Sequence, residues 1–489
     1  MSITSLAALL LWPLVTLLLF LYLPSRRAIV YAFVIGFLFL PWTPLPLPGL
    51  PDYGKTTAVS VSCLVCAALF DPGPLSRLRP SWIDLLPALG VAAWFASSIG
   101  NGHGLHDALS ASLTNLLDFA VPYLIGRAYL GTPDGLREIA RGMLVGFALY
   151  LPLIVFEFRF SAMLNYWIYG ISSNAGHAGL GVRRAAVFLY HGLALSSWIG
   201  PLAALAVWMA IARCWKGVWL ISAGWIAALA CVVTVLCHGR GSIALMVLGG
   251  ASAVLWRLRR TTSIPLVFSG AVVVYLVVAF VETGAPIRSM MVELSSSVFG
   301  DGKAGSLEFR LKHEAVLVWN TLRMNPLIGF GGWGGNRDLG ELTTWDVLGR
   351  RELITDGLWI IIFSNRGFPG LISVWGWMLI PGTLAVLAIR RVPLARSTQG
   401  LILGLATWSF LLAFDCLLNA FWINTQPLLA GAFTTFVMLC NRMENSIKQS
   451  RRGPGNARSP SGAPRVASRG EPSGRSDSTL VVGGRPRTG

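Results

Sequence analysis

Charge is what this chain has least of. Only 12% of its 489 residues are Asp, Glu, Lys or Arg, roughly half the share found in soluble globular proteins. With 54% hydrophobic residues and a mean hydropathy of +0.63, the composition excludes a water-soluble domain and predicts an integral membrane protein. Strand-type alternation is absent too, which argues for helices and against a barrel. No Gly-Lys-Ser or Gly-Lys-Thr follows the glycine-rich stretch Gly329 to Gly335, so a nucleotide phosphate loop is excluded. The six histidines, His103, His106, His177, His191, His238 and His313, are scattered without helical ligand spacing, and no metal or other cofactor is expected. Among the seven cysteines, Cys63 and Cys66 imitate a redox or zinc pair. They lie in an apolar run with no second pair and no nearby histidine, and are expected to be small packing residues. No inverted repeat of the transporter kind is found. The first run, Ile3 to Leu23, has no basic leader and no small-residue cleavage site, so it is expected to be a retained helix.

What the chain does have is long apolar runs. About thirteen segments are predicted, near 3–23, 28–42, 56–70, 82–98, 109–130, 139–156, 192–213, 217–237, 241–256, 264–281, 356–389, 401–422 and 427–441, many near the ~18 residues that span a bilayer. The fold class is therefore all-α, with twelve or thirteen transmembrane helices. The stretch from Asp356 to Ile389 is too long for one ordinary span and is interrupted at Asn365, Arg366, Gly367 and Pro369, which predicts a short re-entrant or amphipathic piece followed by a helix. The nineteen Trp residues fit interfacial belts. Every second connection is basic: Arg26 and Arg27, Arg77 and Arg79, Arg137 and Arg141, Arg213 and Lys216, Arg257 to Arg260, and Arg390 to Arg396. By the positive-inside rule those turns are cytoplasmic and the others face outward. The chain then divides into helices with short loops over 1–281, one large, partly helical extracytoplasmic loop over 282–355, helices again over 356–441, and a tail over 442–489.

The tail accounts for much of the net charge of +17, with ten Lys or Arg between Arg442 and Arg487. Its Gly, Pro, Ser and Arg composition cannot bury enough apolar surface to fold alone, so it is expected to be disordered and cytoplasmic, with some attraction to anionic membrane lipids. No aromatic residues are interleaved with its arginines, and nucleic acid is not an expected partner.

The loop over 282–355 is the longest polar stretch between apolar runs, and it carries Glu308, Arg310, His313 and Glu314. Leu307 to Leu322 reads as an amphipathic helix in which Arg310, His313 and Glu314 stand at i, i+3 and i+4 and share one face. Such a face is ordinarily solvated; the alternative is that it holds a ligand. Arg240, in Cys237-His238-Gly239-Arg240-Gly241-Ser242, falls at a span end on the loop's side. Its permanently charged, planar fork suits a phosphate oxygen, while the plainer reading is an interfacial anchor. The glycines of Gly329 to Gly335 permit close backbone approach to a ligand. Asp118, Arg127 and Asp415 fall in or near spans, where ionisable groups are often functional. Asp118 and Arg127 are expected to pair, and Asp415 has no evident partner. Those three charges support a rival reading, a lipid or polysaccharide transporter.

The order of these features resembles the O-antigen ligase and O-antigen polymerase superfamily over roughly residues 180 to 390. The resemblance rests on Arg240 in a Gly-Arg-Gly setting, and on Arg310 followed by Trp319 and by Asn325-Pro326-Leu327-Ile328-Gly329-Phe330-Gly331. It rests also on the closing Gly367-Phe368-Pro369-Gly370. Upstream, Arg183-Arg184-Ala185-Ala186-Val187-Phe188-Leu189-Tyr190-His191 and Pro122-Tyr123-Leu124-Ile125-Gly126-Arg127 are similar to family segments, which implies substrate-side roles for Arg183 and Arg127. The resemblance implies a metal-independent glycosyltransferase in which Arg240 and Arg310 hold the diphosphate of a polyprenyl-diphosphate-linked glycan. Counting back from Gly367, the family ligases' His-Asn pair falls on Asp356 and Gly357. Asp356 is thus the expected base toward a sugar hydroxyl, with His313 in reserve and Glu314 orienting Arg310 or touching sugar. That departure favours a polymerase of a surface or exopolysaccharide over a ligase that transfers glycan to a lipid or protein acceptor. The implied partners are the glycan or lipid acceptor, membrane lipids and components of a polysaccharide export system. The implied place is a bacterial inner membrane, with the long loop periplasmic.

Overall fold

In hydrocarbon every backbone N–H and C=O must find a partner within the protein, and this chain meets that demand almost wholly with helices. The structure is a computed structural model and describes residues 2–47, 51–161, 163–172, 184–218, 220–281, 289–290, 292–293, 296–297, 301–332 and 356–451. In chain order the helices that matter below are α1 (Ile3–Tyr22), α2 (Ser25–Phe39), α3 (Lys55–Phe70), α4 (Trp82–Gly100), α5 (Gly104–Tyr129), α6 (Pro133–Phe160), α7 (Leu164–Tyr169), α8 (Gly192–Ala212), α9 (Ala223–Leu236) and α10 (Arg240–Arg259). They continue with α11 (Ile264–Ala279), α12 (Asp301–Met324), α13 (Leu358–Ala388), α14 (Arg396–Leu418) and α15 (Thr425–Arg451). Among the described residues eight helices are long and apolar enough to cross a membrane, namely α1, α4, α5, α6, α8, α10, α13 and α14, while α3, α9 and α11 are shorter apolar helices. This is an all-α, multi-pass membrane architecture.

Helix α14 is the hub. It is apolar all round, 89% of its most apolar window is buried, and it packs on α8, α11 and α13, as expected of a helix with no solvent face. At the other extreme α1 turns Leu10, Leu11, Leu14, Leu18 and Leu21 outward, the face a lipid-contacting helix presents. Several hydroxyls inside the bundle are satisfied within their own helices, as in Ser62 to the Ala58 carbonyl at 2.6 Å and Thr407 to the Leu403 carbonyl at 2.8 Å. Where α5 crosses α15 the backbones touch. A Cβ on Gly126 would fall on the Leu428 carbonyl oxygen, and one on Gly431 on the Tyr123 carbonyl oxygen, the small-residue contact by which membrane helices approach closely.

The basic turns, scattered along the sequence, meet at one end of the bundle. Arg27 pairs with Glu138 at 3.1 Å, Arg390 donates to Thr262 Oγ1 at 3.0 Å, and Arg396 donates to the Arg257 carbonyl at 3.2 Å. The opposite ends of the same helices carry His191, Arg240 and Leu418.

Several sequence expectations change. The run 217–237 is not one helix: Gly217–Val218 and Ile221–Ser222 form a two-residue antiparallel hairpin ahead of α9. As expected, however, Asp356 to Ile389 is broken, at Gly367 (φ 63°, ψ −166°). The first half has both ends at the same end of the bundle, because the Leu358 N–H bonds the Asn419 carbonyl and Ser97 Oγ bonds the Asn365 carbonyl. The helix in the long loop begins at Asp301, earlier than Leu307. Trp198, Trp208, Trp359, Trp377 and Trp408 are fully buried and so serve packing, not an interfacial belt. Helix α15 runs on to Arg451, past the expected start of a disordered tail at 442, because no helix breaker occurs before Gly453. The packed unit is Met1–Glu444; in the second unit, Asn445–Gly489, the described residues are the last turns of α15. The chain from Arg452, together with Arg183, His177, Gly334 and Gly335, lies outside the described residues.

Candidate functional site

The site is assembled from α12, the start of α13 and the carboxyl end of α14. Helix α14 ends at Leu418, and a helix terminus leaves carbonyls without intrahelical partners and a partial negative charge. Arg310 on α12 answers both, donating from Nη1 to the Leu418 carbonyl at 3.2 Å. Its Nη2 reaches Asp356 Oδ2 at 2.8 Å. One guanidinium therefore ties the loop helix to a helix end and to the carboxylate just before α13, and the ion pair is partly exposed, Arg310 at 28% and Asp356 at 49%. The charged face of α12 is not a solvated one. His313 is 6% exposed and Glu314 4% exposed, and Tyr275 on α11 donates to Glu314 Oε2 at 2.9 Å. The solvated pair of this helix lies elsewhere, Lys312 with Glu308 at 2.7 Å.

Next to Glu314 and Tyr275 a cavity of about 280 Å³ opens between α11, α12 and α13, walled by Val274, Val278, Leu311 and Val318. Its walls are apolar, and Glu314 is the one carboxylate among its lining residues.

A second group of residues reaches the site from the segment before α8. Glu157, near the end of α6 and 2% exposed, accepts three backbone N–H groups: Leu164 at 3.1 Å through Oε1, and Ala186 at 2.8 Å and Val187 at 2.7 Å through Oε2. The Phe188 N–H bonds Tyr150 Oη at 2.9 Å. Val187 is held at φ +53°, a conformation that a β-branched residue adopts only when its surroundings dictate it. This anchoring delivers Arg184, whose Nη2 donates to the His238 carbonyl at 3.3 Å, two residues before Arg240 at the start of α10.

The same anchoring delivers His191. Its Nδ1 accepts the Leu193 N–H at 2.9 Å and caps α8. With Nδ1 used as an acceptor, the neutral ring carries its proton on Nε2 and is a donor there, not a base. Burial, and next the Arg184 charge, push the His191 pKa down, while Asp356 pulls it up. Arg184 and Asp356 are thus both near enough to act on the charge of His191. Arg184, bonded to the carbonyl of His238 beside the Arg240 turn, and Asp356, paired with Arg310, therefore both bear on His191. Asp415 does have a partner, since Asn419 Nδ2 donates to it at 3.0 Å.

Arg184, His191 and Tyr275 were not singled out by sequence reasoning. The partners of Arg184 and Tyr275 lie 54 and 39 residues away, and no local spacing signals such contacts. Arg127 stands apart. It is 3% exposed, ion-paired with Asp84, not Asp118, and bonded to the Arg79 carbonyl at 2.7 Å. That places it with the basic turns, where it locks α5 to the start of α4.

The glycine turn also serves a purpose other than the expected one. Gly329 (φ +63°) and Gly331 (φ +87°) approach another backbone. The Phe330 N–H bonds the Ser364 carbonyl at 2.9 Å, the Gly331 N–H the Asn365 carbonyl at 3.1 Å, and the Phe368 N–H the Pro326 carbonyl at 2.8 Å. A Cβ on Gly367 would sit 2.5 Å from the Leu327 carbonyl carbon. The two glycine-bearing segments that carry the family resemblance, Asn325 to Gly331 and Gly367 to Gly370, are two halves of one main-chain junction. Among the described residues no group of three or more His, Cys, Asp and Glu side chains converges as a metal ligand set. Comparison of the chain with protein-family models and with curated proteins finds no match.

Proposed function

We propose that this chain is a membrane glycosyltransferase that polymerises a surface or exopolysaccharide from a polyprenyl-diphosphate-linked glycan. The observation that carries this reading is the Arg310–Asp356 pair at 2.8 Å, set beside an apolar cavity at the end of the bundle away from the basic turns. Under the positive-inside rule the basic end is cytoplasmic and the pair works on the outer face, with twelve or thirteen spans in a bacterial plasma membrane.

The geometry supports a sequence of steps. In the resting pair Arg310 occupies Asp356 Oδ2. A diphosphate is the better partner for a planar fork, and as it takes Arg310 it frees the carboxylate. Asp356 then accepts the proton of an acceptor hydroxyl as that oxygen attacks the anomeric carbon. The bond from that carbon to the diphosphate oxygen breaks, and the electron pair leaves with the diphosphate. Arg310 and Arg240 neutralise the charge that develops there, and His191 Nε2–H is a further donor near Asp356. The apolar cavity beside Glu314 suits the first isoprenoid units of the carrier.

Arg310→Ala in the native host tests this. Single repeat units should accumulate on lipid while polymer disappears, read from extracted lipid-linked glycans and surface polysaccharide. Full-length polymer retained on lipid would make the enzyme a ligase. If both pools are unchanged although deleting the gene abolishes the polysaccharide, the arginine is not in the chemistry and the transporter reading takes its place.

A further inference from the structure

A cavity of about 340 Å³ separate from the one beside Glu314 lies at the same end of the bundle, between the end of α2, the start of α3 and the segment that follows α14. Its lining is aromatic and polar at once: Trp42, Tyr190, Phe421 and Trp422, with Lys55 and Asn424. The Trp42 and Tyr190 rings meet at 4.3 Å. The Lys55 ammonium stands 4.7 Å from the Phe37 ring centroid, and its hydrogen bond to the Phe37 carbonyl is long, 3.4 Å. Trp42 Nε1 and Asn424 Oδ1 are buried and have no hydrogen-bond partner among the described residues. Buried polar atoms without partners are uncommon and ask for an explanation.

The lining residues thus carry an ammonium donor, several rings, and an indole N–H and an amide oxygen that have no partner among the described residues. A lipid tail would match the rings and leave all three polar groups unmatched. A pyranose matches both sets: its hydroxyls accept and donate, and its C–H face packs against aromatic rings. The ammonium adds a preference for a sugar that carries a carboxylate, because a charge-assisted bond is about twice as strong as a neutral one. The position fits the site already described. Arg310 bonds the Leu418 carbonyl, and Phe421, three residues and so at most about 11 Å further on, stacks on His191 with ring centroids 5.9 Å apart.

We infer that this cavity is a saccharide subsite that holds one acidic sugar residue, its uronate carboxylate on Lys55 and its ring against Trp42 and Phe421. The inference rests on the proposed glycosyl transfer for its purpose and deepens it by naming a uronate-containing glycan as substrate. Saccharide binding itself is measurable without turnover.

The probe is cellobiouronic acid, with cellobiose as its neutral counterpart, and binding is read by saturation-transfer NMR on the full-length protein in nanodiscs. The wild-type protein should bind the acidic disaccharide about tenfold more tightly than the neutral one. Lys55→Met should abolish that preference and Lys55→Arg should keep it, with gel filtration confirming that both are folded. Trp42→Phe should weaken both ligands about fivefold through loss of the indole N–H. Equal binding of the two disaccharides, indifference to Lys55→Met, or no transfer to either one overturns the subsite. Arg310→Ala separates the two ideas. If it stops polymer formation yet leaves disaccharide binding intact, both stand; if polymer is unaffected while the cavity still selects uronate, the transfer reading falls and the saccharide site stands.

Discussion

Glu157 offers a sharp test of how the site is built, because one buried carboxylate holds two separate stretches of backbone. Replacing it with Gln keeps the volume and removes one acceptor. In the better of the two amide orientations the carbonyl keeps Ala186 and Val187, and the NH₂ group is turned toward the Leu164 N–H. One buried donor is then orphaned, at a cost of about 1–3 kcal/mol, and the two surviving bonds lose their charge assistance. Together these give a loss of roughly 2–4 kcal/mol, shared between Leu164, which loses its acceptor, and the segment that presents Arg184 and His191, whose two bonds weaken. Local opening of that segment is the expected result, since a locally held loop unfolds before the bundle does. Amide hydrogen exchange at Leu164 and at residues 185–189 should accelerate on the order of 10-fold in Glu157→Gln, while the amides of α14 keep their protection. Val187 should lead, because its left-handed backbone is maintained by those bonds. Unchanged exchange in that segment would refute the reasoning and mean that packing of Phe188 against Phe39 and Tyr169 holds the loop without the carboxylate.

The His191 pKa is depressed below its ordinary value, so between the folded and unfolded pKa values the unfolded chain binds more protons, and stability falls as the pH drops below about 6.5. His191→Asn keeps a cap for Leu193 and removes the titration. The thermal midpoint of this variant should therefore decline less between pH 7.5 and 5 than that of the wild type; identical slopes would count against the assignment. Gly431→Ala places a methyl on the Tyr123 carbonyl oxygen, which backbone cannot yield to, and should destabilise by about 3 kcal/mol, seen as loss of monodisperse protein after detergent extraction. Normal extraction would show that α5 and α15 can separate at no cost.

Much of the fold was legible because membrane helices are written in plain terms, a run of apolar residues closed by charge. The ends of α8 and α10 fall within three residues of the segments read from hydropathy, and the alternation of basic turns reappears as a shared end of the bundle. The site was legible only in part. Arg310 and Asp356 were named in advance, and the structure pairs them. The inward turn of His313 and Glu314 was not foreseeable, since periodicity shows that a face is polar without showing what covers it. Asp84 looked like the edge of an apolar run, yet it is the partner of Arg127, and pairs made across 43 residues leave no trace in local spacing. The glycines were read as room for a ligand, whereas Gly329 is approached by the Asn365–Arg366 backbone and Gly331 by the His103 side chain; positive φ is the same signature for all of these.

The junction between the Asn325–Gly331 turn and the break at Gly367 has a consequence for how this protein can vary. Gly332 and Asp356 are the two ends of a connection whose anchor points are already fastened, by main-chain bonds on one side and by the Arg310–Asp356 pair on the other. Closing a loop between fixed points grows only logarithmically with its length, about 0.6 kcal/mol for each doubling. A change in the length or sequence of that connection should therefore cost little and leave the Arg310–Asp356 pair in place.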